Sequence, residues 1–257
     1  MGICDIMAGF ILNLAGHHIG VTTLYDSTVR YCENYILDSA DSACDFSVAV
    51  AQGDIDYERI KAARQDESEG IPVRKLSDSY LELTAVQRKI AEELFRYDTL
   101  LFHGSVVAVD GAAYLFTAKS GTGKSTHTRL WRELLGERAV MVNDDKPFLQ
   151  ITEEGVIAYG SPWNGKHRLG CNIAVPLKAI CILERAEVNH IQAIPPKYAL
   201  TSLIQQSSRP MNGERMARYM ELIDGLSRKV KFYRMGCNIS LDAAKLAYET
   251  MSETRED

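Results

Sequence analysis

No two of the six cysteines (Cys4, Cys32, Cys44, Cys171, Cys181, Cys237) form a C-x-x-C pair, and none are compactly spaced. This excludes a zinc ribbon and a disulfide framework, and it predicts reduced, buried thiols in a cytoplasmic protein. No hydrophobic run is long enough to span a bilayer. The stretch 6–16 is short, contains Asn13 and lacks a basic start, so it reads as an opening strand rather than a signal or a span. Positive charge is in deficit: 29 Lys and Arg against 34 Asp and Glu leave a formal net charge of −5. Neither a nucleic acid nor an anionic membrane is therefore expected as a partner. Also missing are a G-x-G-x-x-G loop, which argues against a dinucleotide-binding fold, and an Asn/Thr-Lys-x-Asp motif, which argues against a signalling GTPase. There is no internal repeat or low-complexity segment.

The 257 residues are 46% hydrophobic and 25% charged, an ordinary soluble composition with ample material for a core. Two regions are expected. Residues 1–96 form a small β-rich subdomain, mostly antiparallel, from short runs at 10–14, 19–22 and 46–50. The polar stretch 56–79 reads as a surface loop. A bridging helix over 84–96 follows, with a capping box from Thr84 to Gln87 and Val86, Ile90 and Leu94 on one face. Residues 97–257 alternate β-like and helical patterns. Asp110-Gly111 marks a hairpin, strands are expected near 100–102, 106–109, 113–117, 139–142, 148–151, 156–159 and 179–183, and helices near 197–206, 214–226 and 241–251. The fold class is α/β (α+β): a mixed sheet with flanking helices.

The central stretch is Ala118-Lys119-Ser120-Gly121-Thr122-Gly123-Lys124-Ser125-Thr126. It follows the β-prone run 113–117 and opens an amphipathic segment, the context a phosphate-binding loop requires. The N–H groups of such a turn and of the first helical residues have no intrahelical partner and can point at phosphate oxygens. Ser120, Gly121, Thr122, Gly123, Lys124, Ser125 and Thr126 are therefore candidate ATP-binding residues, with Lys124 near the terminal phosphates and Ser125 a ligand for Mg²⁺. Ala118 stands where the usual pattern has its first glycine.

Twenty residues beyond Lys124, Asn143-Asp144-Asp145 follow the apolar run 139–142. Adjacent aspartates on a loop at a strand end beside such a turn allow one to hold a metal and the other to take a proton from an attacking hydroxyl. His103, on a neighbouring segment, has two readings: a phosphate or acceptor contact, or a structural hydrogen-bonded residue. Trp163, Lys166 and Arg168, in 160–168, are candidate clamps for phosphate or an acidic acceptor, against the alternative of a solvated turn with a packed Trp. His127 is expected to pack or to make a surface contact.

With Phe102-His103-Gly104, Ser120–Ser125 and Val142-Asn143-Asp144-Asp145 in this order, the second half resembles the HPr kinase/phosphorylase and phosphoenolpyruvate carboxykinase-like superfamily. Trp131, Asn143–Pro147 and Ser161-Pro162-Trp163 resemble a bacterial HPr kinase-related branch, some of whose members accompany peptide-modification systems. The resemblance implies Asp144 as general base, Lys124 at the terminal phosphates, Ser125 and Asp145 on Mg²⁺, and His103 near the site. It implies an ATP- and Mg²⁺-dependent kinase acting on a hydroxyl of a small metabolite or of a Ser/Thr in a peptide, in a family whose members can form homo-oligomers. Lys166-His167-Arg168-Leu169-Gly170 lies where HPr kinases carry a Glu-Arg-Gly signature. The competing readings are a catalytically silent nucleotide-binding module and, less favoured, a carboxykinase.

Overall fold

Two β-prone runs flank Ala15 and Gly16, which both take positive φ (54° and 79°). The runs pair as the antiparallel hairpin of β1 (Ala8–Leu14) and β2 (His17–Thr23). The computed structural model describes residues 8–38, 43–210 and 213–253. It falls into two units, Met1–Glu93 and Leu94–Asp257.

In the first unit α1 (Asp26–Tyr31) precedes β3 (Phe46–Ala49), which pairs with β2 in parallel. The expected opening strand is present as β1, although residues 6 and 7 lie outside the described part. The unit is less β-rich than its composition suggested. The stretch read as a loop from 56 is α2 (Gln52–Ser68), and the next helix, α3 (Asp78–Leu94), starts six residues before the expected Thr84. Thr84 is no cap: its hydroxyl donates to the Tyr80 carbonyl from within the helix, while Ser77 Oγ accepts from Tyr80 N–H.

Why α2 escaped notice is physical. Apolar periodicity is weak there because much of its inward face is ionic. Glu58 and Asp66 are buried, and each has a guanidinium partner. Arg88 Nε donates to Glu58 Oε1 at 2.5 Å, and Arg88 Nη2 stands 3.3 Å from Asp54. Arg74 forks onto Asp66 through Nε and Nη2 at 2.9 and 2.7 Å. Charge-assisted pairs replace apolar contact as the docking interaction.

Among the described residues, the second unit carries a nine-stranded mixed sheet with helices beside it. Its strands and helices are β4 (Thr99–Leu101), β5 (Gly104–Val109), β6 (Ala112–Thr117), α4 (Lys124–Leu135), β7 (Ala139–Asp145), β8 (Phe148–Ile151), β9 (Val156–Tyr159), β10 (Ala174–Arg185), β11 (His190–Ala193), α5 (Leu200–Gln206), α6 (Met216–Lys229), β12 (Lys231–Cys237) and α7 (Leu241–Ser252). β10 is the joint. Its first residues pair antiparallel with β9, and beyond Leu177 it lies parallel to β6 and, from Ala179, to β12. β11 and β12 were not foreseen, and Asp144-Asp145, expected on a loop, close the end of β7.

Period-two alternation feeds two cores. Val106, Ala108 and Leu115 face a cluster with Tyr219, Leu222 and Leu226 of α6, whereas Val107, Val109, Tyr114 and Phe116 face Leu130 and Trp131 of α4 and Ala247 of α7. Trp131 is fully buried among Tyr114, Phe116 and Tyr248, with ring centroids 5.1–5.5 Å away. The Asp110-Gly111 hairpin forms as expected, both residues at positive φ, and Ser240 caps α7 by accepting from Ala243 N–H. Of the described cysteines, Cys32 and Cys181 are buried, but Cys44 and Cys171 are exposed, so the buried-thiol expectation holds only in part.

The ionic docking of α2 yields a prediction. Arg88→Met leaves the Glu58 carboxylate buried without its closest cation and should cost about 2–4 kcal/mol. Adding Glu58→Gln should return much of that loss, since the pair is coupled. Urea unfolding of the three chains measures both steps, and additive losses would rule the coupling out.

Candidate functional site

The turn between β6 and α4 needs its glycines. Gly121 and Gly123 have φ of 77° and 121°, a region that strains any residue with a Cβ, and Gly123 directly precedes the first helical residue, Lys124. The N-terminal N–H groups of α4 are thereby presented at the end of a central strand. Lys124 Nζ donates to the Ala118 carbonyl at 3.2 Å, closing the turn across its mouth. Burial lowers the Lys124 ammonium's pKa, Asp145 and Asp144 oppose the fall, and Lys146 adds to it.

β5 lies between β6 and β7, and its register brings the aspartates to this turn. Val109 opposes Ala139 and Val107 opposes Met141, but a bulge then intervenes, and Ser105 opposes Asp144. Without the extra residue, Ser105 would face Asn143. One residue of slip exchanges the faces of a strand, so the bulge is what puts Asp144 on the α4 side. Asp144 is 8% exposed, and its Oδ1 accepts from Ser105 Oγ at 2.7 Å. Ser105 Oγ lies 2.8 Å from Thr128 Oγ1 of α4. A hydroxyl has one proton, so with Ser105 donating to the carboxylate, Thr128 donates to Ser105. The chain Thr128–Ser105–Asp144 ties the carboxylate to the helix that follows the glycine turn.

The segment after β9 is locked over the aspartates by two amides, the buried Asn143 and the half-buried Asn164. Asn143 Nδ2 donates to the Ser161 carbonyl and hydroxyl at 3.1 and 3.0 Å, and its Oδ1 accepts from Asp145 and Lys146 N–H. Asn164 Oδ1 accepts from Asp144 N–H, and Asn164 Nδ2 donates to the Ser161 carbonyl. Gly165 N–H donates to the Asp144 carbonyl at 2.6 Å. A Cβ at 165 would stand 2.6 Å from that oxygen and 3.1 Å from Asp144 Oδ2, so the close approach requires glycine.

His103 is held twice by Gln206 at the end of α5. Its N–H donates to the Gln206 carbonyl at 2.6 Å, and its Nδ1 lies 2.7 Å from Gln206 Oε1. Its Nε2 stands 3.4 Å from Asp145 Oδ1. Burial, reinforced by Lys146 and Lys124 and opposed by the Gln206 bond, moves its pKa from 6.5 down to about 4. His103 is therefore neutral near pH 7.

His103, Ser120, Gly121, Gly123, Lys124, Ser125, Thr126, Asp144, Asp145 and Lys166 all line one cavity of about 480 Å³, together with Gly165 and His167. Three expected residues do not line it. Thr122 faces two neighbouring cavities, Arg168 lies on the exposed turn beyond, and Trp163 is buried in a T-shaped contact with Phe148. His127 is a packing residue: its Nε2 accepts from Trp131 Nε1–H at 3.1 Å, against Phe116. The sequence reading missed Ser105, Thr128, Asn164, Gly165 and Gln206. Ser105 had a signal, two places from His103 on an alternating strand. Gln206 had none, being 103 residues away.

The amide lock is testable. Asn143→Leu takes the acceptor from the Asp145 and Lys146 N–H groups, leaves the Ser161 carbonyl to Asn164 alone, and should destabilise the chain by about 2 kcal/mol or more. Hydrogen exchange should rise first at 160–171. Unchanged protection there would show that Asn143 does not hold the segment.

Comparison with curated proteins gives no match. Among solved structures, the Hpr(Ser) kinase/phosphatase from Coxiella burnetii aligns with 12% identity over 58% of this chain and 95% of that one, at a TM-score of 0.36. Among the described residues, no helix is long and apolar enough to cross a membrane. The model of the family described as SynChlorMet cassette protein ScmC matches residues 74–240, about two thirds of the chain, and the protein belongs to that family.

Proposed function

We propose that this protein is an ATP- and Mg²⁺-dependent kinase that transfers the γ-phosphoryl group to a hydroxyl of a small metabolite or of a Ser/Thr in a peptide or protein. The observation that carries the reading is that one cavity collects the glycine turn, Lys124 and Ser125 with the oriented carboxylate of Asp144. Phosphoryl transfer asks chiefly for positioning and charge, and these residue types supply both.

The turn's N–H groups and the side chains of Ser120, Lys124, Ser125 and Thr126 bind the phosphates. Lys124 leaves the Ala118 carbonyl to meet the terminal ones. Ser125 and Asp145 are hard oxygen donors on the same cavity, a set that suits Mg²⁺ shared with phosphate oxygens. When bound, Mg²⁺ supplies charge neutralisation at the β- and γ-phosphates. Asp144, with Oδ1 held by Ser105, accepts the acceptor's proton as the hydroxyl oxygen bonds to the γ-phosphorus and the β,γ-bridging bond breaks, releasing ADP. Neutral His103 offers an uncharged hydrogen-bonding ring beside Asp145. Lys166 is placed to meet negative charge on the acceptor side. This reading assigns the protein to the cytoplasm, with the acceptor as its partner.

Incubation of γ-labelled ATP and Mg²⁺ with host extract, split into small-molecule and polypeptide fractions, tests it. Wild type should label one fraction, and Asp144→Asn should lower the rate about 10²–10⁴-fold while keeping nucleotide binding. ATP binding without labelled product in an extract shown to hold the acceptor would favour the silent module instead.

A further inference from the structure

We propose that a second cavity, of about 710 Å³ between the glycine turn, α4 and the loops after β10 and β12, receives the nucleoside of a purine nucleotide whose phosphates lie along the turn. This inference rests on the nucleotide reading above and deepens it. The cavity shares Gly121, Gly123 and Thr126 with the aspartate-bearing one, so a ligand seated on the turn reaches both. Phosphates at the junction then leave the Asp144 side for the acceptor and the other side for the base.

The chemistry of the walls agrees. Leu130 of α4 forms one apolar surface and Ile239 another, and Ile239 is 78% exposed with no core to join. An aromatic base inserted between aliphatic side chains buries both faces, the usual device of small-molecule sites. A neighbouring cavity that shares Thr122 and Arg185 with this one is the more polar of the two: Lys119, Glu184, Ser202, Gln205 and Gln206 stand there beside Ala118, Ile182 and Leu183.

The wall bearing Ile239 is braced although it is made of loops. Asn238 N–H donates to Asn189 Oδ1, Asn238 Nδ2 donates to the Glu187 carbonyl, and Ser240 Oγ donates to Asn238 Oδ1. Ala186 N–H donates to the Cys237 carbonyl at 3.1 Å, tying the two loops together. Arg185 Nη2 donates to the Gly121 carbonyl at 2.5 Å, which joins this wall to the turn. Such pre-organisation reduces the ordering cost of binding.

A polar group points the same way. His127 lines the cavity, is 2% exposed, and uses Nε2 to accept from Trp131. The proton of its neutral ring therefore resides on Nδ1, which has no hydrogen-bond partner among the described residues. Buried donors without partners are uncommon in folded chains, and a purine ring nitrogen or a ribose hydroxyl would satisfy this one after a small ring movement.

Calorimetric titration of the full chain with Mg-ATP and with Mg-tripolyphosphate separates the phosphate contribution from the nucleoside's. Wild type should bind ATP more tightly than tripolyphosphate. Ile239→Glu, which places charge in the slot, and Ala186→Phe, which fills it, should each weaken ATP about tenfold or more and leave tripolyphosphate unchanged. Both positions lie outside the hydrophobic core clusters, so folding should survive and circular dichroism checks it. If both variants bind ATP as wild type does, the cavity assignment is overturned while the nucleotide reading stands. Equal wild-type affinity for ATP and tripolyphosphate overturns it too. Failure of wild type to bind either ligand defeats the nucleotide reading itself.

Discussion

The bulge between β5 and β7 is the constraint on which the site depends. Paired strands lie about 4.8 Å apart, so Asp144 on β7 is two strand spacings from the β6 end that feeds the glycine turn. Distance alone does not aim a side chain. The extra residue at Val142 places Asp144 opposite Ser105 and on the α4 side, where the Thr128–Ser105 hydroxyl chain meets it. Asn143 is released by the same shift to brace Ser161, and the segment carrying Gly165 can then close on the Asp144 carbonyl. One backbone irregularity thus sets a carboxylate's direction and the position of the segment above it.

The sheet's two-sided burial explains why this irregularity persists. β5 and β6 are buried on both faces, one against α6 and the other against α4 and α7. A register slip there would exchange two differently shaped cores, which close packing resists. Polar groups inside such a structure carry a large desolvation cost unless paired, and those around Asp144 are paired. The rigidity suits the proposed chemistry, in which preset dipoles and charges stabilise a transition state with little rearrangement.

Much of the second unit was legible. The glycine turn between a β-prone run and an amphipathic one, the Asp-Gly hairpin and the Ser240 cap are local features, written in neighbouring residues. The cluster of Lys124, Ser125, Asp144 and His103 followed from motif order. The first unit was less legible, because α2 docks through Glu58 and Asp66 to guanidinium partners and so lacks the apolar stripe by which a helix is recognised. β12 and β11 were also missed: short apolar runs near the end of the chain do not announce that a strand has been added in parallel beside β10.

The sequence by itself determined the glycine turn, the order of strands and helices around it, and the residue types gathered there, since backbone preferences and side-chain chemistry act over a few positions. The tertiary structure decided that Asp144 is the aspartate held by the Thr128–Ser105 hydroxyl chain, that Trp163 belongs to the interior, and that Gln206 holds His103. Those outcomes depend on strand register, on competition for buried volume and on contacts between residues far apart in the chain, and none of these is encoded in a local pattern.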